Sequence, residues 1–283
     1  MATRFQIKDS RHRAPTWVDD YPADAAEQLL SALPPSDVYA LIDNAYDTDF
    51  APRLRRRFPD MQPRSLYAGR YEGPGLDEIA PTLMRVPDAP TERCTLLDFL
   101  LQETSGKPML SFLHSRTPAA DPLAHLCHQM EAVDHEGVEF LIRLADTNAL
   151  DAVLQVFDDA QRRRFLSDTQ WWYFRRDGSL QRADHATAGV GDAESTPYRC
   201  TAAQMQQLEA LARPGAMLRF IQTVPHWLGH LVGTPSQAFA CIQAALASVD
   251  GQVQTHDADV VRQVAHALAE AGLLQSPPQS VNP

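Results

Sequence analysis

No glycine-rich phosphate loop, no serine in a Gly-x-Ser-x-Gly elbow and no Cys-x-x-Cys pair occurs in this sequence. These absences remove P-loop nucleotide hydrolysis, the nucleophile elbow of α/β-hydrolases and paired-cysteine zinc or redox chemistry. The four cysteines, Cys94, Cys127, Cys200 and Cys241, are scattered, which fits reduced thiols in a cytoplasm. No run approaches the ~20 apolar residues of a membrane span. The first ten residues carry charges where a secretory signal would be continuously apolar, so a cytoplasmic location is expected. Positive charge is also short: 25 Lys and Arg face 36 Asp and Glu, a net −11. That balance gives no general attraction to nucleic acid or an anionic membrane. No internal repeat is visible.

What is present is an ordinary globular composition, 44% hydrophobic over 283 residues, enough for one large domain or a domain with a companion. Patterning predicts an α/β fold, a mixed and partly parallel sheet flanked by helices, followed by an all-α C-terminal domain. The expected division is an α/β domain over 1–182, a linker over 183–200, a helical domain over 201–275 and a disordered tail over 276–283. Trp17 is expected to pin an irregular N-terminal arm. The centre of the α/β part is Pro108 to Asp146, where an apolar run, an Asp121-capped helix and a second apolar run suggest strand, helix, strand. Val38 to Ile42 reads as a first central strand. Asp47 to Phe58 reads as a helix carrying Arg53, Arg55, Arg56 and Arg57, and Thr95 to Glu103 as a helix stopped at Gly106. Trp171 to Phe174 with Asp177-Gly178 reads as a hairpin. Beyond the linker, Thr201 with Gln204 and Thr234 with Gln237 form capping-box patterns, and a helix from Leu218 to Leu231 is expected to bend at Pro225.

Four constellations carry possible chemistry. His125 and His128 share a helix face and could hold zinc with His135 or His114, as a metal-dependent hydrolase would require. Without a His-Glu-x-x-His arrangement, they read more simply as a solvated helix face. Ser111, Ser115 and Cys127 lack the context of an activated nucleophile. The arginine cluster could bind phosphate, but in an acidic chain it reads as a solvated face or docking patch. Trp171, Trp172, Tyr173 and Phe174 exceed what one strand face can bury. Either both sheet faces are covered, or one is a partner site. Arg143 and Asp146, expected to face Arg116 and Asp43, read as an ion-pair network or a ligand crevice. No catalytic residue, metal or cofactor is assigned.

Six segments in order, Tyr39 to Ala45, Arg64 to Gly69, Ala80 to Val86, Pro108 to Arg116, His125-Leu126 and Leu141 to Asp146, resemble the domain of unknown function 4123 over about residues 38–175. That family comprises adaptor chaperones of bacterial type VI secretion. Around Asp146 the family more often has an aromatic residue and a proline, whereas this chain has Leu144-Ala145-Asp146-Thr147. The resemblance implies structural roles for Asp43, Ser111, Arg116, Arg143 and Asp146. It also implies a non-catalytic protein that binds a toxic effector and loads it onto the VgrG or PAAR spike. Trp171, Trp172, Phe174 and Trp227 are the expected partner anchors.

Overall fold

The computed structural model describes residues 18–116, 122–167, 169–184, 197–249 and 257–275. The expectations placed on Trp17, Asp121, the middle of the linker and the tail lie outside them. Helix α1 (Ala25–Ala32) leads to β1 (Val38–Ile42), a 3-10 turn at Asn44–Tyr46, α2 (Phe50–Arg57) and β2 (Arg64–Ser65). Then follow α3 (Leu76–Ile79), β3 (Thr82–Arg85), α4 (Pro90–Thr104), β4 (Leu110–Ser115) and α5 (Pro122–Gln129). A short pair, β5 (Glu131–Val133) and β6 (Glu139–Leu141), precedes α6 (Thr147–Val156) and α7 (Asp159–Phe165). The hairpin β7 (Thr169–Phe174) and β8 (Leu180–Ala183) comes next, then β9 (Tyr198–Arg199). The remainder is α8 (Ala202–Thr223), α9 (Pro225–Leu228), β10 (His230–Leu231), α10 (Pro235–Val249), α11 (Asp257–Glu270) and β11 (Leu274–Gln275).

The expected class, α/β with a helical C-terminal region, is what forms. The main sheet, in order β2-β3-β1-β4-β7-β8, is antiparallel at every pairing. Among the described residues, parallel pairing is confined to β5 and β9 in a three-stranded sheet, β6-β5-β9. Pro108 to Asp146 therefore does not make a crossover within one sheet. After β5 the chain turns tightly, because the Asp134 carboxylate accepts from Glu136 N at 2.9 Å and Val138 N at 2.8 Å. β6 thus folds back on β5, and β7 takes the place beside β4.

Strand alternation sorts the core into two layers. One face of the sheet buries Leu41, Leu113, Trp171 and Tyr173 with Leu126, Leu150 and Phe165. The other buries Val38, Ala40, Phe112, Trp172 and Phe174 with Leu29 and the α4 leucines Leu96, Leu97 and Leu100. α4 is well placed for this: Pro90 occupies its first turn, and its leucines recur at helical spacing. At the β7–β8 turn Gly178 has a φ of 76°. A Cβ there would stand 3.1 Å from the Asp20 carbonyl, so the N-terminal arm lies directly on the turn.

A third cluster joins Leu218 and Ile221 of α8 to Ile242 and Leu246 of α10 and Val264 and Leu268 of α11. α8 differs from expectation. It runs unbroken through Pro214 for 22 residues, about 33 Å, and the chain breaks only at Val224. Its first half packs Met205 and Leu208 on the sheet's core and its second half fills the third cluster, so burial at both ends outweighs the hydrogen bond that Pro214 forgoes.

Asp47 ties the elements behind α2 together. It accepts from Arg53 at 2.8 Å and Lys107 at 2.7 Å, while Arg53 also reaches Glu103 at 2.6 Å. Burial pushes the Asp47 carboxyl up, but the hydrogen bonds and charges of Arg53 and Lys107 outweigh it and hold the group at about 2 instead of 3.8. A folded value below the unfolded one means that this contribution is complete above the usual carboxylate range and disappears as pH falls towards about 2. Asp47→Asn is expected to lower stability by about 1 kcal/mol near pH 7 and by much less near pH 2, as read by thermal unfolding at the two pH values.

Candidate functional site

Three places hold the residues singled out from the sequence. The first is a charged corner where β1 ends. Asp43 Oδ1 accepts from Ala45 N at 3.0 Å and so starts the 3-10 turn, while its Oδ2 accepts from Arg143 at 2.7 Å. Asp146 caps α6 by accepting from Asn148 N at 3.0 Å and Ala149 N at 3.3 Å. Its other oxygen takes the Tyr46 hydroxyl at 2.5 Å and lies 3.4 Å from Arg143. The Arg143 guanidinium sits 5.3 Å over the Tyr46 ring. Two backbone bonds, Asp43 N to Met109 O and Thr147 N to Pro108 O, hold this corner to the approach to β4.

Both carboxylates are buried, at 2% and 6% exposure. Burial pushes the Asp43 carboxyl up; Arg143 opposes this and Asp146 adds to it, and the result lies above the usual range. For Arg143, burial opposes the charge, but Asp43 and Asp146 outweigh it and the guanidinium is held charged. The corner is an ion-pair network that also caps two helical turns. Tyr46 belongs to it and was missed from the sequence; its position three residues after Asp43 was the available signal. Arg116, expected nearby, lies at the opposite end of β4, because Leu110 pairs with Ile42 and Val38 with His114. There Arg116 and Arg182 donate at 3.1 Å and 2.9 Å to the Gln170 amide oxygen once that amide is turned towards them. Ser111 is fully buried within β4, and its hydroxyl has no hydrogen-bond partner among the described residues, an arrangement without a base to activate it.

The second place is β7. Trp171 and Trp172 are 0% and 2% exposed and Phe174 is 4% exposed. They point to opposite faces, and both faces are covered. Trp171 stacks on Phe165 at 5.7 Å between centroids, and Phe174 meets Tyr21 at 4.8 Å. This corrects the expectation that these three anchor a partner: strand alternation divides them between two cores. Trp227, on α9, is 59% exposed, and Phe220 near the end of α8 is 40% exposed. The sequence pointed to Trp227 but not Phe220, since exposure depends on which core each helix face meets.

The third place is the histidine-bearing helix α5. His125 Nε2 lies 3.2 Å from the Phe165 carbonyl, and its Nδ1 lies 3.4 Å from the Gln129 amide. Among the described residues no three His, Cys, Asp or Glu side chains gather as a metal site requires.

Residues 38–164 match the family described as Domain of unknown function (DUF4123). This segment belongs to the DUF4123 family. The family is associated with effector adaptors of type VI secretion, in agreement with the resemblance of the six sequence segments. The DUF4123 segment contains the charged corner and α5, whereas β7 and the exposed Trp227 lie beyond it. No curated protein and no solved structure matches the chain. Among the described residues no helix is long and apolar enough to cross a membrane.

Within the DUF4123 segment the corner makes a sharp test. Arg143→Ala leaves two buried carboxylates without their cation and is expected to cost about 3 kcal/mol. An ionised Asp43 already opposes folding, because its folded value is raised: the stability present at low pH is lost as pH rises through that value. Removing Arg143 enlarges this effect. The loss in Arg143→Ala should therefore be greatest at neutral pH and shrink on acidification, in thermal unfolding compared with wild type.

Proposed function

We propose that this protein is a non-catalytic adaptor that binds a toxic effector of type VI secretion and promotes its loading onto the VgrG or PAAR spike. The match of residues 38–164 to DUF4123 carries the reading. The chemistry at the three places is compatible with it. The charged corner spends its polar groups on one another and on helix caps, and Ser111 is sealed within the sheet.

An adaptor must present a surface to its cargo. Exposed large aromatic side chains are common interface anchors, because they bury much area with few rotors to order. Trp227 and Phe220 meet that description on the helical region, where α8 and α9 pack on each other. The effector is assigned to this surface and not to β7, whose aromatic side chains are already buried.

Co-expression of the full chain with the products of the genes adjacent to its own tests the function, and a stable complex with a toxin or spike protein after purification is the expected result. Trp227→Ala is expected to weaken effector retention at least tenfold, about 1.4 kcal/mol, while leaving the thermal unfolding midpoint unchanged. Trp171→Ala is unsuitable, since emptying a buried tryptophan site costs about 3–5 kcal/mol of folding. Complexes equally stable with and without the Trp227 side chain would sink the surface assignment. Absence of any complex with toxin or spike would sink the adaptor reading.

A further inference from the structure

The surface that carries Trp227 differs in charge from the rest of the chain. The sequence has 36 acidic residues and a net charge of −11, yet residues 210–249 contain no Asp or Glu. This stretch makes the later part of α8, all of α9 and β10, and α10. Its Arg and His side chains are Arg213, Arg219, His226 and His230, and all four are exposed. Arg219, His226 and His230 form no ion pair among the described residues. The carboxylates on neighbouring elements are engaged: Asp19 accepts from Ser236, Asp259 pairs with Arg262, and Glu270 lies 3.3 Å from His266. Glu209 stands eleven residues before Phe220 on α8, about 16 Å away along the axis.

Helical spacing puts charge and aromatic surface together. Arg213, Ala216 and Phe220 recur three and four residues apart along α8 and are all exposed, while Leu218 and Ile221 turn into the cluster shared with α10 and α11. Pro225 then opens α9, whose turn is closed by Leu228 N to Val224 O at 3.1 Å and Gly229 N to Pro225 O at 2.9 Å. Leu228 packs on the same cluster, which leaves its neighbour Trp227 facing outwards between His226 and the β10 residue His230. Gly229, with a φ of 109°, lets the chain leave α9 for β10. α8, α9 and β10 pack on one another. The aromatic pair is thus carried by packed elements, with arginines beside it and carboxylates kept away.

We infer that the partner segment docking on this surface is acidic, with apolar side chains that cover Phe220 and Trp227 and Asp or Glu side chains that meet Arg213 and Arg219. The inference rests on the assignment of the partner to this surface and adds the charge of the segment it takes. A chain of net charge −11 repels an acidic partner over most of its surface. A face without carboxylates lifts that repulsion in one place and so directs the segment there, while a basic segment would set its cations against Arg213 and Arg219. An anionic membrane fits less well, since two arginines fall short of the cluster of about 4–8 basic residues that holds a protein to such a surface.

The test uses the full chain and two labelled peptides in which leucine and phenylalanine are interspersed with glutamates or with lysines, measured by fluorescence anisotropy. Binding is read as the component that Trp227→Ala removes, so that attraction of lysines to acidic surfaces elsewhere is subtracted. By that measure the glutamate peptide is expected to bind about tenfold more tightly than the lysine peptide, with the difference shrinking as ionic strength rises. The double variant Arg213→Glu, Arg219→Glu should reverse the preference, and Arg55→Glu, on α2, should leave it unchanged. Circular dichroism confirms that each variant is folded. Equal binding of the two peptides, no component removed by Trp227→Ala, a preference that survives the arginine reversals, or binding of phosphatidylserine vesicles that the glutamate peptide fails to displace would each overturn the inference. A glutamate preference without any toxin or spike complex would support the inferred charge and sink the adaptor reading; a complex with equal peptide binding would do the opposite.

Discussion

A sheet that carries large apolar side chains on both faces has to be covered on both faces, and most of this structure follows from that constraint. β7 states it most sharply: Trp171 and Tyr173 look one way, Trp172 and Phe174 the other, and each side is buried. Helices α1, α2 and α4 cover one face, while α5, α6, α7 and the three-stranded sheet cover the other. Once both layers are in place the middle of the domain has no apolar surface to spare. Large apolar side chains stay exposed where the covering ends, among them Trp227 and Phe220 of the helical C-terminal region.

Covering both faces also obliges the chain to leave the sheet and return, and the turns must satisfy their own backbone groups. The corner of Asp43, Tyr46, Arg143 and Asp146 does this with few residues. Each carboxylate accepts from backbone amides with one oxygen and shares Arg143 with the other. The arrangement leaves two negative charges around one cation in a buried place, so its stability depends on geometry and not on charge balance alone. A similar economy appears at Asp19. Its amide bonds to the Arg176 carbonyl, and its carboxylate accepts from the amide and hydroxyl of Ser236, joining the N-terminal arm, the β7–β8 turn and α10.

Local signals in the sequence were legible where one element could be judged on its own. The β7–β8 hairpin follows from Asp177-Gly178, and α4 from its leucines and Pro90. Both helical capping boxes sit at helix starts, Thr201 with Gln204 and Thr234 with Gln237. Pairing partners were less legible. An apolar run such as Val138 to Leu144 states that it wants burial but not which strand will lie beside it, and only Glu139–Leu141 became a strand. The fate of the tryptophans needed the cover on both faces, and Asp19 with Ser236 joins positions with no periodic relation. Asp43, Arg143 and Asp146 could be proposed together only as strand-end charges. Tyr46, which completes their hydrogen bonding, is uncharged, and only its spacing from Asp43 pointed to it.

Helix α8 is one continuous helix whose two halves are buried in different cores. Met205 and Leu208 rest on the sheet's layer, and Leu218 and Ile221 belong to the cluster with α10 and α11. A straight helix transmits displacement along its axis with little bending, and proline at position 214, which removes a hydrogen bond, marks its weakest point. Force applied near Phe220 therefore reaches the sheet contact at Met205 through about 22 Å of helix, with a softened joint at Pro214 between them.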